Sequence, residues 1–415
     1  MKRRTIMLCA LVGVVVTTTM LAGVPSQAAT KPGQVGLVWF TKASRTSLTI
    51  TWGKVSAATR YEVFVGRSRA AVADSRTPRV RTTSAAAKIT GLAPGADYWV
   101  QVRGINSGAK GSRSARQAHR TIAAQTTARP PSFKLMTYNV CSDAGPCDKT
   151  WAQRRPHVLD RVKTYVPDVI TFQEAASNFA DPSELPTLLP GYTQVEYKSA
   201  KRLFVRSSRF SVAPGRTTLP DQPDVFDCES RVRSCWMKIG PSPASVTPGK
   251  SRYAVWAELI DLRTQKHLII VDVHTTTTVS GREAESALSR GRETKAVLEK
   301  VKQYNTEDLP VVYAGDFNSH RNRPDDFVRT EMAKKGYADS FELAQELVGQ
   351  HRNSYNDWQT TPKTSVQWGD HVDHVWAVPQ QVRVLWWHQA ERITDGRYAN
   401  LGSDHSPLVV RMQVE

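Results

Sequence analysis

Acidic side chains are nearly missing from one quarter of this 415-residue chain: residues 29–129 hold three Asp and Glu against 17 Lys and Arg, a net +14. Residues 130–415 are close to neutral, with 36 basic and 35 acidic groups, so most of the overall +18 sits in one segment. A surface so poor in carboxylates is attracted to polyanions such as nucleic acid, anionic lipid or cell-wall polymer. The plainer alternative is a charged surface kept for solubility.

Cysteine is scarce, with five in the chain and Cys9 the only one before Cys141. Long apolar runs are scarcer still. The one candidate, Ile6 to Val16 and on to Leu21, is broken by Thr17-Thr18-Thr19 and Gly23. No other stretch approaches the roughly 20 apolar residues that a membrane span needs. That run follows Met1-Lys2-Arg3-Arg4 and leads to Ser26-Gln27-Ala28-Ala29. A basic start, a short apolar core and small residues describe a secretory signal peptide over residues 1–29. The mature chain is expected to be secreted and extracellular, without a transmembrane segment, and monomeric.

Four cysteines then remain: Cys141, Cys147, Cys228 and Cys235. An even number in an exported chain indicates disulfides, and four cysteines allow three pairings. The near-neighbour pairing, Cys141–Cys147 and Cys228–Cys235, is expected. A zinc site fits less well, because both gaps exceed the usual two to four or so intervening residues.

From residue 30 to 122 the pattern is one of short strands. Ser47 to Trp52 alternates with Leu48, Ile50 and Trp52 on one face, Tyr61 to Val65 alternates likewise, and a Pro94-Gly95 turn joins two further strands. About 90 residues of this kind with no convincing helix indicate an all-β sandwich. The early Trp52, the Tyr61 that opens the next strand, and Leu92-Ala93-Pro94-Gly95-Ala96-Asp97-Tyr98 before a Val-x-Val strand resemble a fibronectin type III domain. That resemblance makes Tyr98 the corner tyrosine whose hydroxyl bonds back to the preceding turn. Residues 123–132, small, polar and ending in Pro130-Pro131, read as a semi-rigid linker.

The second domain, 133–415, mixes strands and helices. Strands are expected at Phe133–Val140, Asp168–Phe172, Ala254–Leu262, His267–Val273, Leu309–Ala314, His371–Val378, Val382–Trp387 and Leu408–Met412. Helices are expected at Trp151–Tyr165, and at Glu283–Gln303 with Ala287, Leu288, Leu298 and Val301 inward. The apolar strands repeatedly deliver a polar group at or near one end: Asn139, Glu174, His274, Asp316 with Asn318, Asp373, and Asp404 with His405. Each alone has an ordinary explanation, as a turn cap, a loop start or a satisfied core histidine. Gathered at one sheet rim, they make a cleft.

In order and spacing, Thr137-Tyr138-Asn139-Val140, Gln173-Glu174, Val273-His274-Thr275, Gly315-Asp316-Phe317-Asn318, Val372-Asp373-His374 and Gly402-Ser403-Asp404-His405-Ser406-Pro407 resemble the endonuclease/exonuclease/phosphatase superfamily. Its members are metal-dependent phosphodiesterases related to pancreatic-type deoxyribonuclease. The resemblance implies an α+β fold, a four-layer α/β-β/α sandwich of two mixed sheets flanked by helices. It departs from the common pattern at Thr275-Thr276-Thr277-Thr278 and at His374, where relatives often carry an aromatic.

Phosphodiester hydrolysis explains these residue types. An anionic substrate repels its nucleophile, so a hard divalent cation must absorb the developing charge. Mg²⁺, with Mn²⁺ or Ca²⁺ as alternatives, suits oxygen ligands from Glu174, Asn139 and Asp404. His405 suits a general base, and Asp373 would hold its tautomer. Asp316 and Asn318 would position water and a phosphate oxygen, and the resemblance gives His274 the phosphate and the leaving group. The base and acid roles are interchangeable on sequence grounds. The basic first domain favours a nuclease acting on extracellular nucleic acid. The alternatives are a sphingomyelinase-type phospholipase C, for which Trp386-Trp387 would form a lipid-wetting tip, and a non-catalytic adhesion protein that binds polyanions or cell wall.

Overall fold

The computed structural model describes residues 30–122, 130–142, 147–175, 184–214, 226–228, 234–241, 251–323, 325–364 and 370–415. The expected signal peptide and most of the expected linker lie outside these residues. Among the described residues no helix is long and apolar enough to cross a membrane.

The N-terminal domain is a β-sandwich. Strands Val38–Ala43, Ser47–Trp52 and Ala86–Thr90 pair antiparallel on one side, and Arg60–Gly66 with Asp97–Asn106 anchors the other sheet. Alternation works as expected, since Leu48, Ile50 and Trp52 are all buried. Trp52 meets Tyr61 edge-on at 5.3 Å, and the Tyr98 hydroxyl accepts the Ala93 N–H at 2.8 Å, which locks the turn before its own strand. One element differs from the all-β expectation: a short helix, Arg69–Asp74, begins where the Ser68 hydroxyl accepts the Ala71 N–H. A Ser cap followed by alanines is sufficient local reason for it.

The second domain has two mixed sheets face to face with helices outside both. The first sheet runs, in spatial order, Tyr192–Lys198, Lys201–Arg206, Val169–Gln173, Phe133–Asn139, Leu408–Val414, Val382–Gln389 and Glu346–Val348. Strands Phe133–Asn139 and Val169–Gln173 are parallel, joined by helix Trp151–Tyr165, which buries Val158 and Val162 against the sheet. The second sheet is centred on His267–His274, parallel to Val311–Asp316, which pairs antiparallel with Asp373–Ala377. Helix Glu283–Tyr304 covers its outer face.

That helix carries the clearest departure from expectation. Ala287, Leu298 and Val301 point inward, but Leu288 is 50% exposed, while Arg290, Glu293 and Thr294 are buried. The helix turns a polar stripe toward the protein because that stripe holds the loop after His274.

The two domains are docked. Val38–Ala43 pairs with Glu346–Val348, so the first sheet continues for three more strands into the sandwich, ten in all. The Ala43 N–H donates to Gln345 O at 2.7 Å, Gln350 Nε2 to Phe40 O at 3.0 Å, and Trp39 stacks on His351 at 4.6 Å. Two edge strands, each with unpaired backbone groups, satisfy one another. The expected linker lies mostly outside the described residues, and the two domains also meet at this sheet edge.

Cys141–Cys147 forms a disulfide, as the near-neighbour pairing expects. Cys235 is also disulfide-bonded and stands directly across the hairpin from Cys228, whose side chain lies outside the described residues.

Candidate active site

Parallel strands bring their C-terminal ends to one rim, and antiparallel neighbours bring their N-terminal ends to the same place. His274 and Asp316 are direct partners across the parallel ladder, and Asp316 faces Asp373 across the antiparallel one. Asn139 partners Gln173, so Glu174 lies one residue beyond. Glu174 and Asn318 leave their strands with φ of 56° and 50°, which swings their side chains off the sheets. Gly315 makes the closest approach: at φ +146°, a Cβ there would lie 1.9 Å from Val273 O. Only glycine lets Asp316 and His274 sit side by side.

Asp316 is the hub. Its Oδ2 accepts Asn139 Nδ2 at 3.1 Å and lies 3.6 Å from His274 Nε2 and 3.7 Å from His405 Nε2. Its Oδ1 accepts the Asn318 N–H at 2.8 Å. His405 Nδ1 bonds Asp373 Oδ2 at 2.9 Å, so the ring is held between two carboxylates. Asn139 Nδ2 also donates to Glu174 Oε1 at 3.1 Å, while Glu174 Oε2 accepts the Ser142 N–H at 2.9 Å. Asp404, half-buried beside Glu174, accepts the Ser403 hydroxyl at 3.1 Å. The structure therefore brings together all eight side chains singled out in the sequence.

The electrostatics separate the two histidines. Burial alone would lower His405, but Asp373 and Asp316 override it and hold the imidazole well above its ordinary value. Burial pushes His274 well below, with Arg252, Lys201 and His405 adding to the effect. Two imidazoles about one carboxylate are thus split into a proton holder and a neutral ring, which is how acid and base roles are divided. Burial raises Asp316 as well, with Asp373 adding and His405 opposing. Burial raises Asp404, with Glu174 adding against the pull of His405.

Carboxylates that raise one another in a buried cleft fit a cation. Glu174, Asp316 and Asp404 are hard oxygen donors of the kind Mg²⁺ prefers, whereas the Asn139 oxygen expected to join them faces elsewhere. In the present arrangement Asn139 Oδ1 accepts the Cys141 N–H at 3.0 Å, so its amide nitrogen faces the carboxylates. A second set, Asp316, Asp373 and His405, has ligand atoms within 4.8 Å of one another, and Asp373 Oδ1 is buried without a hydrogen-bond partner. Asp316 belongs to both sets.

Several supporting residues gave no sequence signal. Arg154, fully buried, bonds the carbonyls of Val140, Cys141 and Gly402 at 2.5, 2.7 and 3.2 Å, tying the Asn139 loop to the His405 loop. Asn356 donates from its backbone to Asp404 O at 2.7 Å and from Nδ2 to Ser403 O at 3.0 Å. Tyr355 lies against the His405 ring at 5.2 Å. All sit far in sequence from the motifs they support. Ser403 was within the signature: its hydroxyl donates to Asn139 O at 2.7 Å.

A cleft in which strand ends of two facing sheets collect acids, amides and two histidines defines a metal-dependent phosphoesterase. The chain belongs to the endonuclease/exonuclease/phosphatase family, whose sequence profile matches residues 136–405, and the fibronectin type III profile matches residues 33–120. Family members are hydrolases that depend on divalent metal. No curated protein sequence matches the chain. Among solved structures, a mannosyl-6-phosphatase of Bacteroides thetaiotaomicron is similar in fold, with TM-score 0.51 and 17% identity over 68% of this chain and 99% of its own. An endonuclease/exonuclease/phosphatase of Bacteroides vulgatus matches with TM-score 0.51 and 20% identity over 69% of this chain and 100% of its own.

Proposed function

We propose that the protein is a secreted, Mg²⁺-dependent phosphodiesterase that cleaves nucleic acid outside the cell. The observation that carries this reading is the placement of Asp316 between two histidines of opposite character, beside an oxygen-rich cation site. A cation held by Glu174 and Asp404, with Asn139 orienting Glu174 by hydrogen bonding, would supply charge neutralisation at the scissile phosphate. His405 is placed to move a proton at Nε2, and Asp373, bonded to Nδ1, fixes the ring so that Nε2 faces the cleft. With a cation drawing on the carboxylates that raise it, His405 would be neutral and would accept a proton from water. Asp316 and Asn318 position that water. His274, kept neutral, faces the phosphate and the leaving oxygen.

The +14 sandwich supports a long polyanion as substrate, since many weak phosphate contacts add along a backbone. Trp387 is 2% exposed and packs on Phe341 and His371, so it belongs to the core and not to a lipid-wetting tip, and Trp386 beside it is half-buried, which weakens the support for the sphingomyelinase alternative. The Cys141–Cys147 disulfide supports an oxidising, exported setting. A parallel assay of mature protein with Mg²⁺ on plasmid DNA, RNA, sphingomyelin and a generic bis-aryl phosphodiester tests the reading. Preferred cleavage of a nucleic acid is expected. Preferred cleavage of sphingomyelin would refute it.

A further inference from the structure

The threonine run after His274 is held in a way the hydrolytic centre does not require. Thr275 belongs to the centre: its N–H donates to Asp316 O at 3.1 Å, its hydroxyl to Phe317 O at 2.6 Å, and its carbonyl accepts Asn318 Nδ2 at 3.2 Å. Three residues on, the Thr278 hydroxyl oxygen accepts from two guanidiniums at once, Arg290 Nη1 at 3.1 Å and Arg323 Nη1. Arg290 comes from the inward stripe of helix Glu283–Tyr304 and is 1% exposed. Arg323 follows Asn318 by five residues and is half-buried.

Among the described residues neither guanidinium has a carboxylate oxygen within 4.0 Å, and Arg290 Nε is buried with no partner. The nearby acids are in use. Glu293 accepts the N–H and the hydroxyl of Thr276, Asp326 accepts the Ser319 hydroxyl and the Arg329 N–H, and Asp370, the carboxylate that acts most on Arg323, accepts the side-chain amides of Asn322 and Asn353. Burial lowers Arg290 to about 10, so it stays charged at neutral pH. Two guanidiniums meet on one hydroxyl under partial burial, and the carboxylates that act on them, Glu293, Asp326, Asp316 and Asp370, do so from beyond ion-pair distance, so an anion bonded directly to both would complete the arrangement. Thr278 has both acceptor positions occupied, so its own hydrogen is left to donate outward. Thr278 is half-buried and Thr277 exposed, so this corner opens to solvent. Asp316 feels the charge of both arginines, which places the corner beside the centre.

We propose that Arg290, Arg323 and Thr278 form a second anion subsite that binds a substrate phosphate next to the one being cleaved. The inference rests on the nuclease reading for its substrate class, an oligonucleotide in which a neighbouring phosphate lies one nucleotide away. A diester with a single phosphate fills the hydrolytic centre and leaves the subsite empty.

The test compares kcat/KM for the dinucleotide TpT with those for its 5′-phosphorylated and 3′-phosphorylated forms. One phosphorylated form is expected to be better by about tenfold or more, the effect of one charge-assisted bond, and mainly through KM. Arg323→Gln should bring that ratio close to one, and Arg323→Lys should retain part of it. A ratio near one in the wild type, or an unchanged ratio in Arg323→Gln, overturns the subsite. A second readout does not depend on turnover. In chelator-treated protein, inorganic phosphate should raise the Tm of the wild type more than that of Arg323→Gln, and an equal rise overturns the subsite. If no dinucleotide or plasmid is cleaved, the nuclease reading fails, and the phosphate-induced shift decides the subsite by itself.

Discussion

His405 and His274 lie on either side of one carboxylate and have opposite proton affinities. The difference comes from their second neighbours: His405 has Asp373 behind it, and His274 has Arg252 and Lys201 nearby. Asp373→Asn keeps the shape but removes the charge that holds the ring. It should cut kcat by about 10²–10⁴, the range for disabling general acid–base catalysis. It should also shift the acid limb of the pH–rate profile downward, because His405 loses its main source of elevation. An unchanged acid limb, measured by steady-state rates across pH, would show that His405 does not carry the moving proton.

At the scale of elements, the site depends on strands that end in register. Gly315 illustrates this, since its position 1.9 Å from the Val273 carbonyl, as measured for a built Cβ, leaves no room for a side chain. Gly315→Ala should cost more than the roughly 1–3 kcal/mol of backbone strain alone, read as a fall in the denaturant midpoint. A midpoint within error of wild type would mean the two strands can separate at no cost. Much at this scale was legible beforehand. Helix Trp151–Tyr165 and the strands that carry Asn139, Glu174, His274, Asp316 and Asp373 follow from apolar period and flanking turn residues, and their polar ends announce the cleft. Arg154, Asn356 and Tyr355 were not legible, because they act on loops that are near only after folding. Leu288 misled for a related reason: helical spacing cannot tell an apolar core from a polar stripe that serves a loop.

For the whole molecule, the least legible feature was the junction. Pairing of Val38–Ala43 with Glu346–Val348 joins strands some 300 residues apart, and no local pattern signals it. The junction has a pH dependence of its own. His119 and His371 both pack on Phe341, at 6.1 and 5.0 Å, and burial lowers each to about 4. Both stay neutral in the folded protein while the unfolded chain takes up protons below about pH 6.5. Stability is therefore intact above that value and falls as pH drops toward about 4, by about 1.4 kcal/mol per pH unit for each histidine. Acid titration followed by small-angle scattering should show the domains separating before the catalytic domain unfolds. Double replacement His119→Gln and His371→Gln should weaken that dependence without removing it, because burial also lowers His320, His351 and His388 to about 4, and an identical acid profile would show that these two residues do not contribute.

Strand ends from two sheets build a cation-dependent centre for hydrolysis at phosphorus. Its most direct test is the Mg²⁺ dependence of plasmid cleavage by the wild type and by Glu174→Gln, with a chelator control. No cleavage is expected in chelator, and the variant should need about 10–100-fold more Mg²⁺ or lose activity altogether. Equal cleavage by both proteins at every Mg²⁺ concentration, or full cleavage in chelator, would contradict it.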